Sequence, residues 1–145
     1  MFINEIIKNV PSLQSKIVSI IDASVRRAKR DNEDSVFLLG SEGTVDSGIY
    51  QVALLGEGIA CHSPSSRELS DVRMCIEDVK QNKVTRDTIN LFKDLLAKEE
   101  TVLLGCTEMS LLLNYCDIQG IKTIDPIKCV MDELYSEYLE AIVKK

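Results

Sequence analysis

A cysteine stands at the point where one apolar run of the sequence ends and a second one begins. In TVLLGCTEMSLLL (101–113), Gly105 precedes Cys106, and Thr107 and Glu108 follow it. If a helix begins directly after Gly105, Cys106 lies at its N-terminus, where unpaired N–H groups and the helix dipole favour an anion. Such a position lowers the pKa of a thiol and supplies a thiolate near neutral pH. The alternative is a core cysteine at a strand end, because free cysteine is among the most buried residue types.

A second segment with candidate binding groups is SEGTVDSG (41–48), which also follows an apolar run. Its small hydroxyl side chains and its backbone N–H groups could hold a carboxylate or a phosphate. The plainer interpretation is a glycine-containing turn in which Thr44 caps a helix. The pattern GxxxxGK[ST] does not occur, so the segment is not a P-loop.

The elements that must position these two segments alternate between strands and helices. Apolar runs predict strands at 15–21, 35–40, 58–63, 101–106 and 122–125. Helices are predicted from Asp22, as N-cap, to about Arg30, from Val45 to Leu55, from about 64 to Asn82, from Thr85 to 100, and from Pro126 onward. This alternation predicts an α/β fold, a single doubly wound domain with a four- to five-stranded, mainly parallel sheet. Ligands bind such sheets at the carboxyl ends of the strands, and both segments fall on that edge.

Composition excludes several classes of function. The chain has 145 residues, as expected for one domain, and its net charge of −6 argues against nucleic acid or an anionic membrane as partner. No apolar run approaches the ~18 residues of a membrane span, and the N-terminus lacks the pattern of a signal peptide. Five cysteines without a CxxC pair and a single histidine, His62, predict reduced thiols in a cytoplasmic protein and no metal site.

Three segments together resemble the aspartate/glutamate racemase family of cofactor-independent amino-acid racemases. They are VFLLGSEGTVDSGIYQ (36–51), LLGCTEMSLLL (103–113) and TIDPIKCV (123–130), and the likeness extends from about Ile3 to Ile142. The GCTE block is the most specific element, and the pattern GTxxSGxY at 43–50 supports it. The likeness is greatest to the aspartate racemase and broad-specificity branch, because glutamate racemases usually have histidine where Glu108 stands.

The resemblance implies a mechanism with two cysteines and no cofactor. In the family, one cysteine removes the α-proton of the substrate and a second returns a proton to the opposite face. Cys106 matches the cysteine of the second domain, and Thr44 and Thr107 match positions that hold the α-carboxylate. Lys80 falls where aspartate racemases often place a lysine for the side-chain carboxylate, although a lysine on an amphipathic helix is more often simply solvated. The candidate substrate-binding residues are therefore Ser41, Thr44, Ser47, Lys80, Thr107 and Glu108, for a small acidic amino acid.

The resemblance covers only the second of the family's two domains. The expected organisation is one domain over 1–145, in which residues 1–14 match the last helix of the preceding domain. The CNT motif that bears the other cysteine does not occur. Cys75 and Cys129 lie on apolar helix faces and are predicted to be core residues. Cys61 is the one cysteine near a sheet edge that could reach the site, and His62 beside it is more typical of a loop residue than of a base.

Three hypotheses follow. The first is a racemase-family domain that is complete only when a second chain supplies the first half. The second is an inactive relative that binds an acidic amino acid or a partner. The third is a one-cysteine enzyme such as a decarboxylase, which needs a single proton donor. A surface suited to the first domain is expected to be exposed near the last helix and the Cys106 edge, which predicts a homodimer or a partner chain.

Overall fold

The computed structural model describes residues 8–9 and 18–143 of the chain. The helices from residue 18 onward are α1 (Ile20–Arg30), α2 (Glu42–Asp46), α3 (Ile49–Leu55), α4 (Ser66–Lys80), α5 (Arg86–Leu96), α6 (Thr107–Leu112) and α7 (Pro126–Val143). The strands are β1 (Ser35–Leu39), β2 (Ala60–His62), β3 (Thr101–Leu104) and β4 (Lys122–Ile124). A 3₁₀ turn, Leu113–Tyr115, follows α6.

The four strands form one parallel sheet in the order β2-β1-β3-β4. In the register, Leu39 of β1 lies opposite Leu104 of β3. Side chains of β1 alternate between the two faces, because successive residues of a strand point in opposite directions. Phe37 and Leu39 pack with α4, α5 and α6, whereas Val36 and Leu38 pack with α1, α3 and α7. The predicted fold class, a doubly wound domain with a mainly parallel sheet, is confirmed.

The strand predicted at 15–21 is wrong over residues 18–21, the part that the structure describes. Residues 15–17 lie outside the described residues, Val18 and Ser19 have no regular structure, and Ile20 and Ile21 begin α1. The N-cap is Ser19 rather than Asp22, since the Ser19 hydroxyl accepts a hydrogen bond from the Asp22 backbone N–H at 3.2 Å. Asp22 instead lies in the first turn, where its charge complements the helix dipole. The β-branched residues that indicated a strand were therefore overridden by a capping serine.

The helix predicted from Val45 to Leu55 is two short helices, α2 and α3. Gly48 separates them with a φ of +65°, a left-handed conformation that glycine adopts without strain. Ser41 is the N-cap of α2, and its hydroxyl accepts the Thr44 backbone N–H at 3.3 Å. The N-cap of this helix is therefore Ser41 and not Thr44, which the turn interpretation had assigned as the cap. The break leaves the loop after β1 as a compact hydroxyl-rich unit above the end of the strand.

The long helices match the sequence patterns closely. Val72, Cys75 and Ile76 of α4 are buried, as are Phe92 and Leu96 of α5. Ser65 and Thr85 cap these helices through capping boxes. α7 begins at Pro126, as predicted from its tolerance in a first helical turn. Within the described ranges, no helix is both long and apolar enough to cross a membrane.

Candidate functional site

The exits of β1 and β3 pack directly against each other at the carboxyl edge of the sheet. The Gly105 backbone N–H donates to the Leu39 carbonyl at 2.9 Å. A Cβ on Gly105 would lie 2.8 Å from Leu38 Cδ1 and 3.2 Å from Thr44 Cγ2, and one on Gly40 would lie 3.1 Å from Thr44 Cγ2. A side chain at either position would therefore crowd Thr44, and one at Gly105 would also displace Leu38. This contact brings the two candidate segments together, as the edge rule for parallel sheets predicts.

Cys106 is the N-cap residue of α6, directly after Gly105. Its Sγ donates a hydrogen bond to Glu108 Oε2 at 2.7 Å. The Thr107 hydroxyl donates to the same carboxylate oxygen at 3.1 Å. The helix start predicted after Gly105 is thus present, and Glu108 turns back toward the thiol that precedes it. Cys106, Thr107 and Glu108 form one hydrogen-bonded group, which we call the thiol–carboxylate cluster.

The predicted direction of the Cys106 pKa is wrong for this structure. Burial of the half-exposed thiol, followed by its hydrogen bond to Glu108, raises the pKa of Cys106 to about 11. The backbone N–H groups of Glu108 and Met109 act in the opposite direction, as the helix N-terminus argument required, but their effect is smaller. The hydrogen bond from the Cys106 thiol lowers the pKa of Glu108. The positive charge of Lys80 acts in the same direction with a smaller effect. At neutral pH the proton of the pair therefore resides on sulfur.

Ser41, Thr44 and Ser47 form a chain of hydroxyls on the neighbouring loop. The Ser41 and Thr44 hydroxyls lie 3.0 Å apart, and the Thr44 hydroxyl donates to the Gly105 carbonyl at 3.4 Å. The Ser47 hydroxyl donates to the Thr44 carbonyl at 2.8 Å and accepts the Ile49 N–H at 3.4 Å, so it stabilises the start of α3. Thr44 is thus the residue that joins the two loops.

Lys80 lies at the end of α4 and is more than half exposed, with Glu77 Oε1 at 4.0 Å from its Nζ. It lines a groove of about 290 Å³ that Ser41 and Arg73 also line. Arg73 pairs there with Glu42, the first residue of α2. Two cationic side chains of α4 therefore face the hydroxyl loop. The influence of Lys80 on the Glu108 pKa shows that its charge reaches the thiol–carboxylate cluster.

Cys106 itself opens into a different, smaller cleft of about 60 Å³. Ile20 of α1, Tyr50 of α3 and Asp125 at the start of α7 line this cleft with Cys106. Tyr50 is buried, with 4% of its surface exposed, and hydrogen-bonds to Ser24. Sequence reasoning did not single out Tyr50 or Asp125 as lining residues. Asp125 could have been found by its position directly after β4, on the same edge as the other two loops.

None of the other four cysteines provides a base opposite Cys106. The prediction that Cys61 could reach the site is wrong, because Cys61 pairs with Val36, whereas Cys106 lies two residues beyond Leu104, whose partner is Leu39. At ~3.3 Å per residue this difference is about 16 Å along the sheet. Cys116 follows α6 and its 3₁₀ turn, about 15 Å further along the chain. Cys75 and Cys129 are buried core residues, as predicted.

His62 ends β2, and its Nδ1 pairs with the Glu99 carboxylate rather than with any residue of the cluster. The part of the chain that the structure describes contains no group of three or more His, Cys, Asp or Glu side chains placed to hold a metal ion.

Comparisons with known proteins place this arrangement in a family context. A model of the family described as Asp/Glu/Hydantoin racemase matches residues 13–134. An uncharacterized protein in the pnlA 3′ region of Pectobacterium carotovorum subsp. carotovorum is 32% identical over 136 residues, which cover 91% of this chain and 83% of that protein. A glutamate racemase from Aquifex aeolicus (strain VF5) is 25% identical over 122 residues, covering 81% of this chain and 47% of its own length.

Two solved structures share the fold at similar identity. An aspartate racemase homologue from Pyrococcus horikoshii OT3 superposes with a TM-score of 0.67 at 25% identity, covering 82% of this chain and 54% of that one. The Picrophilus torridus aspartate racemase superposes with a TM-score of 0.61 at 29% identity, covering 75% of this chain and 47% of that one. The chain thus spans about half the length of the glutamate racemase and of both solved proteins.

Proposed function

This chain belongs to the Asp/Glu/hydantoin racemase family, and from that premise we propose that it carries the proton-donating half of a cofactor-independent site. In this proposal Cys106 delivers a proton to the Cα carbanion of a small acidic amino acid. The match to the family model confirms the family predicted from GCTE and GTVDSG. The activity, the substrate and the opposing base are proposals.

The observation that carries the proposal is the placement of Cys106 at the exit of β3, as the N-cap residue of α6, with its thiol donating to Glu108. With a pKa of about 11, its thiol holds its proton at neutral pH. A proton donor must be protonated before the step, and a thiol at a strand exit can reach a bound ligand. When the S–H bond breaks, the proton forms the new Cα–H bond with the carbanion electron pair. The thiolate that remains is stabilised by the N–H groups of Glu108 and Met109.

The substrate assignment rests on groups at the carboxyl edge of the sheet, of which Thr107 lines the Cys106 cleft and Lys80 lines the neighbouring groove. Thr44 and Thr107 offer hydroxyls on the two loops that meet at Gly105. Lys80 offers a positive charge whose field extends to Glu108. These donors and this cation suit the α-carboxylate and the side-chain carboxylate of aspartate or glutamate. The names of the similar proteins, aspartate and glutamate racemases, favour the same substrate class.

Racemisation additionally needs a base on the opposite face of the substrate. The other four cysteines do not lie opposite Cys106, and the Cys106 cleft is only about 60 Å³, too small to enclose an amino acid. We therefore assign the second base and the missing walls of the site to another polypeptide or to a second copy. A closed site would also exclude water and strengthen the electrostatic interactions within it. The free state of all five cysteines supports a reducing, cytoplasmic setting.

A single protonated thiol also suits the third hypothesis, a decarboxylase, because loss of CO₂ leaves a carbanion that needs one proton and no second base. The same cluster without turnover would be a binding domain for an acidic amino acid. One experiment separates these functions, because each predicts a different fate for the α-hydrogen and the carboxylate.

The experiment is proton NMR of L-aspartate and L-glutamate in D₂O with the purified chain, followed by chiral analysis. A Cys106→Ala variant and a matched Cys116→Ala variant, which alters a cysteine remote from the cluster, serve as controls. Exchange of the α-proton with retention of the L-form, lost in Cys106→Ala only, would show that Cys106 reaches Cα and moves a proton on one face, first as a base and then as a donor. Appearance of the D-form would show that the purified chain, alone or as two copies, supplies both bases, and would rule out a different polypeptide as the source of the second one. No exchange and no product, with ligand binding retained in Cys106→Ala, would favour the binding domain.

A further inference from the structure

The groove that Lys80 lines has an apolar floor along α4. Its volume is about 290 Å³, and Leu69, Val72 and Ile76 of α4 line it together with charged residues. Val72 and Ile76 are buried, so the core fixes the position of this floor. Ligand pockets combine apolar walls with a few placed polar groups, and such a floor suits the methylene groups of a bound chain. We call this groove the α4 groove.

Charged side chains of alternating sign follow one another along the α4 groove. Arg73, Glu77 and Lys80 of α4 line it, and Glu42 of α2 pairs there with Arg73. The three α4 residues are spaced by four and three, so they share one face of the helix. Arg73 and Lys80 are two turns apart, which is about 10.5 Å along the helix axis. The groove therefore has two positions that attract a carboxylate, separated by Glu77, which repels one.

The two cations of α4 lie beside the exits of different strands. Arg73 pairs with Glu42, which follows β1, whereas the charge of Lys80 acts on Glu108, which follows β3. Because Cys106 also follows β3, Lys80 marks the end of the α4 groove that is nearer to the thiol. A ligand carboxylate on Arg73 is thus further from Cys106 than one on Lys80.

The ion pair that occupies Arg73 is easily replaced. Arg73 and Glu42 have 60% and 49% of their side chains exposed, and an ion pair at such a surface contributes little to stability. The short helix α2, which carries Glu42, has no buried residue. A guanidinium binds a carboxylate through two parallel hydrogen bonds, so a ligand carboxylate can take the place of Glu42 and keep the charge of Arg73 balanced.

We propose that the α4 groove selects acidic amino acids by chain length, with Arg73 as the specificity-determining residue for long ones. The inference rests on the proposed function, in which Cα lies at Cys106 and Lys80 takes the side-chain carboxylate of a short acid. A longer acid, such as α-aminoadipate or α-aminopimelate, carries its carboxylate past Glu77 to Arg73, while its methylene groups lie on the apolar floor. The ligand class therefore extends beyond aspartate and glutamate to their longer homologues.

The test is isothermal titration calorimetry of the full chain with L-aspartate, L-α-aminoadipate and L-α-aminopimelate. Arg73→Gln is expected to weaken binding of the two longer acids by about tenfold or more, as for loss of a charged hydrogen bond, and to leave aspartate within about twofold. Lys80→Gln should weaken aspartate most. Glu42→Gln, which frees Arg73, should tighten binding of the longer acids by up to about fivefold. Arg67→Gln is the matched control, because Arg67 lies on α4 but lines a different groove.

The outcomes separate this inference from the proposed function. Failure of the wild-type chain to bind the longer acids, or an Arg73→Gln variant that weakens all three acids equally or none, would overturn chain-length selection and leave the proposed function intact. Binding that depends on chain length without α-proton exchange would support the groove and overturn proton transfer by Cys106. Binding of no acid by the wild-type chain would overturn both. Urea unfolding of each variant, with a midpoint equal to that of the wild-type protein, shows that a change in affinity is not a folding defect.

Discussion

Replacing Glu108 by glutamine tests how the thiol–carboxylate cluster sets the state of Cys106. Glu108 accepts the thiol hydrogen at 2.7 Å and, as a negative charge, opposes formation of a thiolate beside it. Glutamine retains nearly the same size but removes that charge. We therefore expect Glu108→Gln to lower the Cys106 pKa from about 11 toward its usual 9.0.

The size of the effect follows from the thiolate population. At pH 8 a thiol of pKa about 11 is ionised in about one molecule in a thousand, and one of pKa 9.0 in about one in ten. Burial, the larger cause of the raised pKa, remains in the variant. Removal of the carboxylate is thus expected to increase the thiolate population by up to about tenfold. Because a less basic thiolate is also less nucleophilic, the alkylation rate should rise by only about threefold.

The measurement is the pH dependence of iodoacetamide labelling of Cys106 in the folded protein, read at that residue by peptide mass spectrometry. Glu57→Gln, which alters a carboxylate paired with Lys29 away from the site, should leave the profile unchanged. A wild-type midpoint below 9, or a Glu108→Gln midpoint above that of the wild-type protein, would refute this account of the cluster. A wild-type midpoint below about 7 would further mean that Cys106 is mainly a thiolate at neutral pH, and its assignment as proton donor would then also fail.

Further expectations concern stability. Gly105→Ala places a methyl group 2.8 Å from Leu38 Cδ1 and should cost about 1–3 kcal/mol in urea unfolding; a neutral result would mean that the strand exits separate easily. Phe92→Ala empties a fully buried position and should cost about 3–5 kcal/mol by the same measurement, whereas a loss below 1 kcal/mol would mean that the core there is loosely packed. Burial raises the pKa of Cys61 to about 11 and of Cys75 to about 12, so the folded state holds these protons more tightly than the unfolded state. Their contribution to stability is complete below about pH 9 and is lost as pH rises through 11 to 12. A Cys61→Ser variant lacks one of these thiols. It should therefore lose less stability between about pH 8 and 10.5 than the wild-type protein does.

The raised pKa of Cys106 changes the interpretation of the site more than any other finding. The sequence placed a cysteine at a helix N-terminus, and that geometry is present. The pKa of the thiol is raised instead of lowered, first because the thiol is half-buried and second because Glu108 folds back onto it. A resting thiol donates a proton, whereas a resting thiolate removes one. In the proposed reaction, the same residue keeps its predicted place but begins from the opposite protonation state.

The sequence alone was sufficient for the elements whose cause is local. Continuous apolar runs marked β1 and β3, and the three- and four-residue spacing of Val72, Cys75 and Ile76 marked the buried face of α4. Thr85 and Pro126 marked helix starts because capping and proline geometry depend on neighbouring residues only. Where two local signals competed, as at Ser19–Ile21, the sequence did not say which would dominate.

The tertiary structure decided what depends on register and on distant contacts. Cys61 and Cys106 both end apolar segments, yet parallel pairing sets them about 16 Å apart along the sheet, and no local pattern encodes that offset. Tyr50 and Asp125 line the Cys106 cleft only because α3 and α7 pack on the same side of the sheet. Which side of α7 faces the domain likewise depends on tertiary packing, because Pro126 and Cys129 are buried, with Cys129 in the core on that side of the sheet. Residue type and spacing thus determined which groups the protein has at its edge, while packing determined their protonation, their neighbours and the surface left to be covered.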